Sequence, residues 1–216
     1  MEEILDNITL VIVDDHELAR LGIRQILEQV QDIEIVGEAR NGDEAIVMVE
    51  RLRPKVLLLD IQMPGMPSRE VERLVRDRYP EVVTLILTAH DRDSYLSDFM
   101  EAGVAGFLDK NTQGNKLIAA IRRAASGEHL FTTNQIKRVQ KWKVTVGEKW
   151  KGLTPREKEV ATHIARGLNN KEIADNLSIS SRTVSFHIEN ILRKLNTETR
   201  QQAIAWINKN ILGNDL

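Results

Sequence analysis

Residues 56–66 read V-L-L-L-D-I-Q-M-P-G-M, a short apolar run that ends in an acid and a proline-glycine turn. Consecutive Val and Leu residues without alternation are typical of a strand that is buried on both faces in a parallel sheet. The acid, Asp60, would then stand at the carboxyl end of this strand. Ligands of open α/β sheets bind at that edge, so the stretch predicts both an element and a site.

Polar residues follow other apolar runs in the first half of the chain. Asp14 and Asp15 come after I-T-L-V-I-V, Thr88 comes after V-T-L-I-L, and Lys110 comes after G-F-L-D. Because parallel strands end at one edge of a sheet, these side chains can converge with Asp60. Three crowded carboxylates repel one another, which favours a hard divalent cation such as Mg²⁺. A carboxylate beside that ion can accept a phosphoryl group whose charge a lysine and a hydroxyl help to neutralise.

Each of these residues also has an ordinary structural explanation when it is taken alone. An Asp after a strand is often a turn former or a helix N-cap. Lys110 could be a solvated surface charge, and Thr88 a strand former at a strand end. Their conjunction at the ends of successive runs favours the cation and phosphate site.

Apolar runs alternate with helical patterns through the first half. The runs predict strands over 8–13, 33–38, 56–59, 82–87 and 105–108. The spacing of apolar residues between them predicts helices over 16–30, 43–53, 68–78, 92–102 and 113–126, with Leu18, Leu21, Ile26 and Leu27 as the apolar pattern of the first helix. Five such units predict an α/β domain with a doubly wound, five-stranded parallel sheet.

The composition fits two modest domains within 216 residues. Cysteine is absent, which excludes a disulfide framework and a thiolate metal site. The first residues are acidic where a signal peptide would be basic, and no apolar run approaches the roughly 18 residues of a membrane span, so we expect a cytoplasmic protein without a membrane partner.

Charge divides unevenly between the two halves. Residues 1–126 hold 23 acidic and 15 basic side chains, a net charge of −8, whereas residues 127–216 hold 9 and 15, a net charge of +6. This asymmetry predicts that one half meets cations and the other meets polyanions.

Residues 127–152 interrupt the alternation with six Lys and Arg against two Glu, and with Trp142 and Trp150 among them. One interpretation is a basic linker that touches DNA or the first domain. The other, which we favour, is a short helix and a hinge whose tryptophans cover apolar surface on the neighbouring domain. The predicted organisation is therefore a first domain over 1–126, a linker over 127–150 and a second domain over 151–216.

The second domain reads as helical throughout. Thr154 and Glu157 form a predicted capping box around Pro155, and Gly167 ends that helix. Further helices are predicted to begin at Asn170 and to cover 181–195 and 199–210. Two short helices joined by a tight turn in a compact basic domain indicate an all-α, four-helix domain of the helix-turn-helix kind. A plain helical bundle is the alternative.

The stretches D-D-H, L-L-D-I-Q-M-P-G-M, L-T-A-H and G-F-L-D-K resemble the receiver domain of bacterial two-component response regulators, over about the first 125 residues. The string over residues 153–195 looks like the LuxR/NarL-type DNA-binding domain. Together they make the chain similar to a response regulator of the NarL/FixJ type. The resemblance implies a flavodoxin-like receiver, a sensor histidine kinase as phosphoryl donor, and double-stranded promoter DNA as target, with a homodimer forming on phosphorylation.

The resemblance also implies roles for individual residues. Asp60 would be the nucleophile, Lys110 and Thr88 would contact the phosphoryl oxygens, and Mg²⁺ would be held by Asp60, Asp14, Asp15 and the Gln62 carbonyl. Thr88 and Phe107 would form the switch, in which the hydroxyl moves toward the phosphate and the ring packs inward. Phe107 as ordinary sheet packing is the alternative.

The predicted DNA contacts lie on and around the helix over 181–195. They are Lys171, Arg182, Thr183, Ser185, Phe186, Glu189, Arg193, Lys194 and Arg200. Family members usually carry basic residues where this chain has Ser185 and Glu189. An acid near phosphates lowers affinity unless it accepts from a cytosine amino group.

Three classes of function stay open at this point. The leading one is a phosphorylation-controlled transcription factor that is not an enzyme. The second is an enzyme with an aspartyl-phosphate intermediate, although Gln62 stands where the haloacid-dehalogenase type has an acid. The third is a regulator that works through protein contacts with weak or lost DNA binding.

Overall fold

The structure, a computed structural model, describes residues 7–212. The chain divides into two compact units: the first extends to Ile136 and the second begins at Lys137, with the short segment Arg92–Ser94 grouped with the second. Each unit has a hydrophobic core of its own. Two independent cores agree with the two-domain interpretation of the composition.

The first unit is built on a five-stranded parallel sheet in the order β2-β1-β3-β4-β5. The strands are β1 Ile8–Val13, β2 Ile33–Ala39, β3 Val56–Leu59, β4 Val83–Thr88 and β5 Gly106–Asp109. The chain runs outward from β1 to β2 and then returns to the other side of β1 with β3. The predicted doubly wound sheet is confirmed, and its topological switch point lies between β1 and β3.

Five helices connect and flank these strands: α1 Glu17–Leu27, α2 Gly42–Leu52, α3 Ser68–Arg78, α4 Asp93–Ala102 and α5 Gly114–Ala125. One core forms where α1 and α5 pack against side chains of the central strands such as Leu10, Leu58 and Leu85. α2 and α3 contact each other elsewhere on the sheet. Because both faces of the sheet are covered, the central strands β1 and β3 read as apolar runs without alternation.

The predicted apolar pattern of α1 was wrong in part. Leu18 is 83% exposed and Leu21 is 46% exposed, whereas Arg20 is buried together with Ile23 and Leu27. The Arg20 guanidinium donates to the Asp14 carbonyl at 2.7 Å and to the Glu38 carboxylate at 3.2 Å. These bonds satisfy the buried charge, so the face that contains Arg20 lies against the sheet and the two leucines point outward.

The second unit is helical, as predicted. After the capping box of Thr154 and Glu157, it contains α8 Pro155–Ala165, α9 Asn170–Leu177, α10 Ser181–Leu195 and α11 Arg200–Ile207, followed by a π-helical segment Asn208–Leu212. Its core includes Val160, Ile173 and Ile191, all fully buried. Gly167 adopts a φ of +84° just after α8, which a glycine allows without strain.

The segment before α8 is helical where a short helix and a hinge were predicted. It consists of α6 Thr133–Trp142, a π-helical segment Lys143–Gly147 and α7 Glu148–Lys151. Gly147 leaves room for the Trp142 ring, because a Cβ atom there would come within 3.1 Å of it. Trp150 packs against the core of the second unit, as expected for a tryptophan that covers apolar surface.

Within residues 7–212, none of the helices combines the length and apolar character that crossing a membrane would require.

Candidate functional site

Two buried acids follow neighbouring strands in the first unit. β1 pairs with β3 so that Val13 is opposite Leu59, and the next residues, Asp14 and Asp60, therefore stand side by side at the switch point. The backbone N–H of Asp60 donates to the Val13 carbonyl at 2.9 Å and extends this pairing to the acid. Both acids are nearly inaccessible, at 2% and 4% exposure. Buried carboxylates at this spacing need cationic partners.

Lys110 supplies such a partner to both acids. Its Nζ atom lies 2.7 Å from Asp14 Oδ2 and 2.7 Å from Asp60 Oδ2. Its backbone N–H donates to the Thr88 carbonyl at 2.9 Å, which places the lysine beside the end of β4. Burial would lower the pKa of Lys110, but the hydrogen bonds to Asp14 and Asp60 outweigh it and raise that pKa. The ammonium group therefore stays charged between the acids.

Asp60 also faces an open cleft at the edge of the sheet. Its Oδ1 atom accepts from the Ile61 N–H at 2.7 Å, and the Ser68 hydroxyl donates to the Asp60 carbonyl at 2.7 Å. These bonds fix the loop that leads to α3. The cleft is lined by Asp15, His16, Asp60, Gln62, Met63, Ala89, His90 and Lys110.

The acidic side of the cleft can hold a metal ion. One ligand atom from each of Asp14, Asp15, His16 and Asp60 lies within 4.8 Å of the others. Carboxylate oxygens at a solvent-open edge suit Mg²⁺, which keeps several waters and takes few protein ligands. Gln62, whose backbone carbonyl is predicted to hold the ion, lines the same cleft. The residues present therefore fit the predicted cation.

His16 belongs to this cluster, although the sequence argument did not select it. Its Nδ1 atom lies 2.9 Å from Asp15 Oδ1 and 3.4 Å from Asp14 Oδ1. Its backbone N–H donates to Asp14 Oδ1 at 2.9 Å. The only signal in the sequence was adjacency in D-D-H, which cannot show that the ring turns back toward the acids.

The two predicted switch residues are both buried. Thr88 is fully inaccessible at the end of β4, and its hydroxyl accepts from the His90 N–H at 3.1 Å. Phe107 lies on β5 opposite Ile86 and is 3% exposed, and its carbonyl accepts from Gln135 Nε2 at 2.8 Å. The Phe107 ring is buried in this structure, and its movement on phosphorylation stays a prediction.

The second unit contains the tight turn of a helix-turn-helix. α9 ends at Leu177 with Ser178 in the left-handed conformation, at a φ of 54°, and Ser180 caps α10 by accepting from the Thr183 N–H. At the start of α9, Asn169 and Glu172 form a second capping box. Three residues thus turn the chain from one helix into the next.

The outward face of α10 carries four exposed side chains. They are Arg182, Phe186, Glu189 and Arg193, a group that we call the outer stripe. Val184, Ile188, Ile191 and Leu195 occupy the opposite face and are buried. Lys171, on α9, is also exposed. These five predicted DNA contacts are therefore accessible.

The other predicted contacts are engaged within the domain. Lys194 Nζ lies 2.7 Å from Glu157 Oε2, and Arg200 donates to Asn170 Oδ1 at 2.8 Å. Burial raises the pKa of the Glu157 carboxyl, but the hydrogen bonds from Lys194 and Thr154 outweigh this effect and lower it. Burial lowers the pKa of Arg200. Both cations thus have structural partners.

Ser185 and Thr183 are partly buried and hydrogen-bonded. The Ser185 hydroxyl donates to the Ser181 carbonyl at 3.1 Å and accepts from Asn170 Nδ2 at 3.0 Å. The Thr183 hydroxyl lies 2.8 Å from the Ser180 hydroxyl at the helix cap. Asn170, which joins Ser185 to Arg200, was not selected from the sequence, because its two partners are distant in the chain.

Comparison with known proteins agrees with both units. Residues 10–122 match the model of the response regulator receiver domain, and residues 151–207 match that of the bacterial regulatory proteins of the luxR family. The chain is 34% identical over 199 residues to the response regulator protein VraR of Staphylococcus aureus, covering 92% of this chain and 95% of that protein.

Solved structures give the same result. RcsB of Salmonella enterica serovar Typhimurium, bound to promoter P1flhDC in the presence of phosphomimetic BeF3⁻, is 25% identical with a TM-score of 0.62, covering 94% of this chain and 99% of that one. The signal receiver domain of the putative regulator NarL of Mycobacterium tuberculosis is 32% identical with a TM-score of 0.55, covering 57% and 99%. The chain therefore belongs to the two-component response regulators of the NarL/FixJ type, with a receiver domain and a LuxR-type helix-turn-helix domain.

Proposed function

We propose that Asp60 accepts a phosphoryl group from a sensor histidine kinase and that this modification controls binding of the second domain to promoter DNA. The observation that carries the proposal is the position of Asp60. Its carboxylate faces an open cleft while Lys110 and the Ile61 N–H hold its two oxygens. A carboxylate so oriented is positioned to attack phosphorus.

The transfer needs little covalent chemistry from the protein. An Asp60 oxygen forms the new bond to phosphorus, the bond from phosphorus to the donor histidine nitrogen breaks, and that nitrogen keeps the electron pair. The Lys110 ammonium group bridges Asp60 and Asp14 and can turn toward a phosphoryl oxygen. It can therefore stabilise the negative charge on the transferred group. Mg²⁺, held by Asp15, Asp14, Asp60 and the Gln62 carbonyl, would neutralise the other oxygens.

Thr88 and Phe107 would carry the signal out of the cleft. The Thr88 hydroxyl lies at the end of β4 and accepts a hydrogen bond from the His90 N–H at 3.1 Å. Moving it to donate to the phosphoryl group would change the packing beside β5, where Phe107 lies. A change of population between two packings is the expected form of such a switch.

The proposed organisation keeps residues 1–126 as the receiver, 127–150 as the connection and 151–216 as the DNA-binding domain. Support comes from the two matched families, which leave out the helical segment between them. In this proposal the protein is cytoplasmic and forms a homodimer when phosphorylated. Phosphoryl transfer to Asp60 is a regulatory switch, and the protein is not an enzyme.

For DNA contact we propose the accessible residues: Lys171 and the outer stripe. The second domain is basic overall, which favours a polyanionic target, and the related RcsB is described bound to a promoter. Lys194 and Arg200 would act through packing, because each is bonded within the domain. Thr183 and Ser185 would fix the start of α10.

A regulator that works through protein contacts is the second candidate. It is favoured by one observation, namely that the outer stripe contains an acid and an exposed aromatic ring, Glu189 and Phe186. Binding of DNA fragments at several salt concentrations separates the two, since phosphate contacts make DNA affinity fall steeply with salt.

The phosphoacceptor assignment is tested with acetyl phosphate or beryllofluoride in the presence of Mg²⁺. We expect one modified site, at Asp60, and loss of modification in Asp60→Asn and after chelation of the metal. Intact-mass measurement follows the phosphoryl group directly. Glu50→Gln, an exposed acid on α2, is the matched control and should be modified as the wild type is. Modification that persists in Asp60→Asn would reject the assignment.

A further inference from the structure

Phe186 is the exposed aromatic side chain of the outer stripe. It is 61% exposed on the side of α10 away from the core, and its ring meets the His187 ring edge-on at a centroid distance of 6.0 Å. Single exposed apolar residues are common on protein surfaces. Whether Phe186 has a binding role therefore depends on the residues beside it.

The outer stripe is narrow and has a simple order. At about 100° per residue, Arg182, Phe186, Glu189 and Arg193 fall within about 60° of one another around the helix. Between Arg182 and Glu189 the helix rises by about 10 Å, the length of about three base-pair steps. Arginines stand at both ends, with the ring and the acid between them.

The middle of the outer stripe is unsuited to the phosphate backbone. A phenyl ring gains nothing from a phosphate, and the Glu189 carboxylate is repelled by it. Base edges in the major groove offer both residues a partner. The 5-methyl group of thymine is an apolar contact for a phenyl ring, and the amino group of cytosine donates to a carboxylate.

Ser185, the neighbour of Phe186, is held in place by hydrogen bonds. Its hydroxyl donates to the Ser181 carbonyl and accepts from Asn170, which in turn accepts from Arg200. These bonds tie α10 to α9 and α11. The backbone that carries Phe186 is thereby fixed before any ligand binds, which reduces the entropy lost on recognition.

We propose that Phe186 reads the 5-methyl group of a thymine in the major groove and so sets part of the sequence preference of the second domain. This inference rests on the proposed function, because it takes double-stranded DNA as the ligand. The thymine 5-methyl group is thus the base feature that the centre of the outer stripe recognises.

The test uses the full chain treated with beryllofluoride and Mg²⁺. DNA duplexes that bind this protein are first selected from a pool of random sequence. Each thymine of an enriched duplex is replaced in turn by uracil, which removes only the methyl group. Affinity is measured by fluorescence anisotropy for the wild type, Phe186→Ala and Phe186→Leu. Val47→Ala, which shortens an exposed apolar residue of α2, is the matched control.

We expect one uracil replacement to weaken wild-type binding about fourfold, the effect of one buried methyl group. Phe186→Ala should bind the thymine duplex more weakly and lose the difference between thymine and uracil. Phe186→Leu should keep part of that difference, and Val47→Ala should keep all of it. Because Phe186 is exposed, its substitution leaves the core of the domain intact.

Three results would overturn the inference. If enriched duplexes bind in a salt-dependent manner but no uracil replacement matters, Phe186 does not read a methyl group and the DNA-binding function stands. If Phe186→Ala keeps the wild-type sensitivity to uracil, another residue reads the methyl group. If no duplex is enriched, the proposed DNA function fails with the inference, and the exposed ring belongs to a protein contact.

Discussion

Lys110 sets the charge balance of the receiver cleft at the level of single residues. Its ammonium group partly neutralises the charge of two buried carboxylates, Asp14 and Asp60. The Lys110 Nζ atom lies 2.7 Å from one oxygen of each. A phosphoryl group on Asp60 would add negative charge where the lysine already sits. The neighbours that can respond are the Thr88 hydroxyl and the groups that line the cleft, so the signal must begin as a local rearrangement.

Thr88→Ala tests whether the hydroxyl carries that rearrangement. We expect the variant to accept a phosphoryl group at Asp60, because the wild-type Thr88 hydroxyl is hydrogen-bonded to the His90 N–H and not to Asp60. The gain in DNA affinity on modification should be lost, because no hydroxyl can move to the phosphoryl oxygens. Intact mass measures the first property and anisotropy with and without beryllofluoride measures the second. Thr88→Ser should restore the gain; a normal gain in Thr88→Ala would exclude the hydroxyl as the relay.

Glu72 is a third buried acid of the receiver, and it does not line the phosphoacceptor cleft. It lies on α3 at 3% exposure, and within residues 7–212 its Oε2 atom has no hydrogen-bond partner. Burial raises the pKa of Glu72 to about 7, although the Thr84 hydroxyl and the Arg76 charge lower it. Glu128 and His129 line the same cavity.

This pKa predicts a stability that falls as pH rises. The unfolded carboxyl titrates at the ordinary value of 4.5, so the folded protein binds the proton more tightly between 4.5 and about 7. The contribution of Glu72 is thus fully present below 4.5 and is lost above about 7, where the penalty is about 3 kcal/mol. Glu72→Gln should remove this dependence and be more stable than the wild type at pH 8.

Urea unfolding of the wild type and of Glu72→Gln at pH 5.5 and pH 8 measures the effect. His129→Gln is the control, because His129 lines the same cavity as Glu72. Equal pH dependence in the wild type and Glu72→Gln would mean that the carboxyl is ionised in the folded state near its ordinary pKa.

At the scale of elements, the sheet could be predicted because its central strands, such as β3 and β4, are buried on both faces. β1 and β3 were predicted with the bounds that the structure has, since their apolar runs stop at an acid. The face of α1 could not be predicted. Periodicity favours leucine inside and arginine outside, and it cannot show that Glu38, on a separate strand, offers the buried Arg20 a carboxylate partner.

The candidate site divides in the same way. Asp14, Asp60 and Lys110 were found from the sequence because each directly follows a strand and strand ends converge. His16 and Asn170 were missed, since their roles depend on side-chain directions and on contacts such as that between Asn170 and Ser185. Spacing along the chain contains no information about either.

The outer stripe of α10 leads to a prediction about its acid. Glu189→Gln removes a charge that phosphates repel, so affinity for DNA of arbitrary sequence should rise. Glu189→Lys should in addition steepen the dependence on salt, with the slope of log affinity against log salt changing by about one unit. Binding of a mixed-sequence duplex at several salt concentrations is the measurement.

Glu159→Gln is the control for this charge change, because Glu159 is an exposed acid of α8 that pairs with Arg156. It should alter affinity less than Glu189→Gln does. If neither substitution of Glu189 changes binding and the wild type shows no salt dependence, α10 does not enter DNA and the protein-contact function gains support.

At the scale of the whole molecule, the two halves carry opposite charge and separate cores. Residues 1–126 have a net charge of −8 and residues 127–216 a net charge of +6. The acidic half supplies ligands for a cation, and the basic half is attracted to a polyanion. Because each of the two compact units has its own core, a change of packing in the receiver need not unfold either unit.

The separation into two domains predicts that modification of Asp60 shifts an equilibrium between conformations of the whole chain. Allosteric coupling is typically about 1–3 kcal/mol, so beryllofluoride with Mg²⁺ should raise DNA affinity, or the fraction of dimer, by about five- to 150-fold. Sedimentation velocity measures the dimer, and anisotropy measures the affinity. Asp60→Asn should show neither change, whereas Val47→Ala should show both. If the wild type is modified but neither quantity moves, the receiver does not control the second domain through dimerisation or DNA binding, and its output must pass through contacts with another protein.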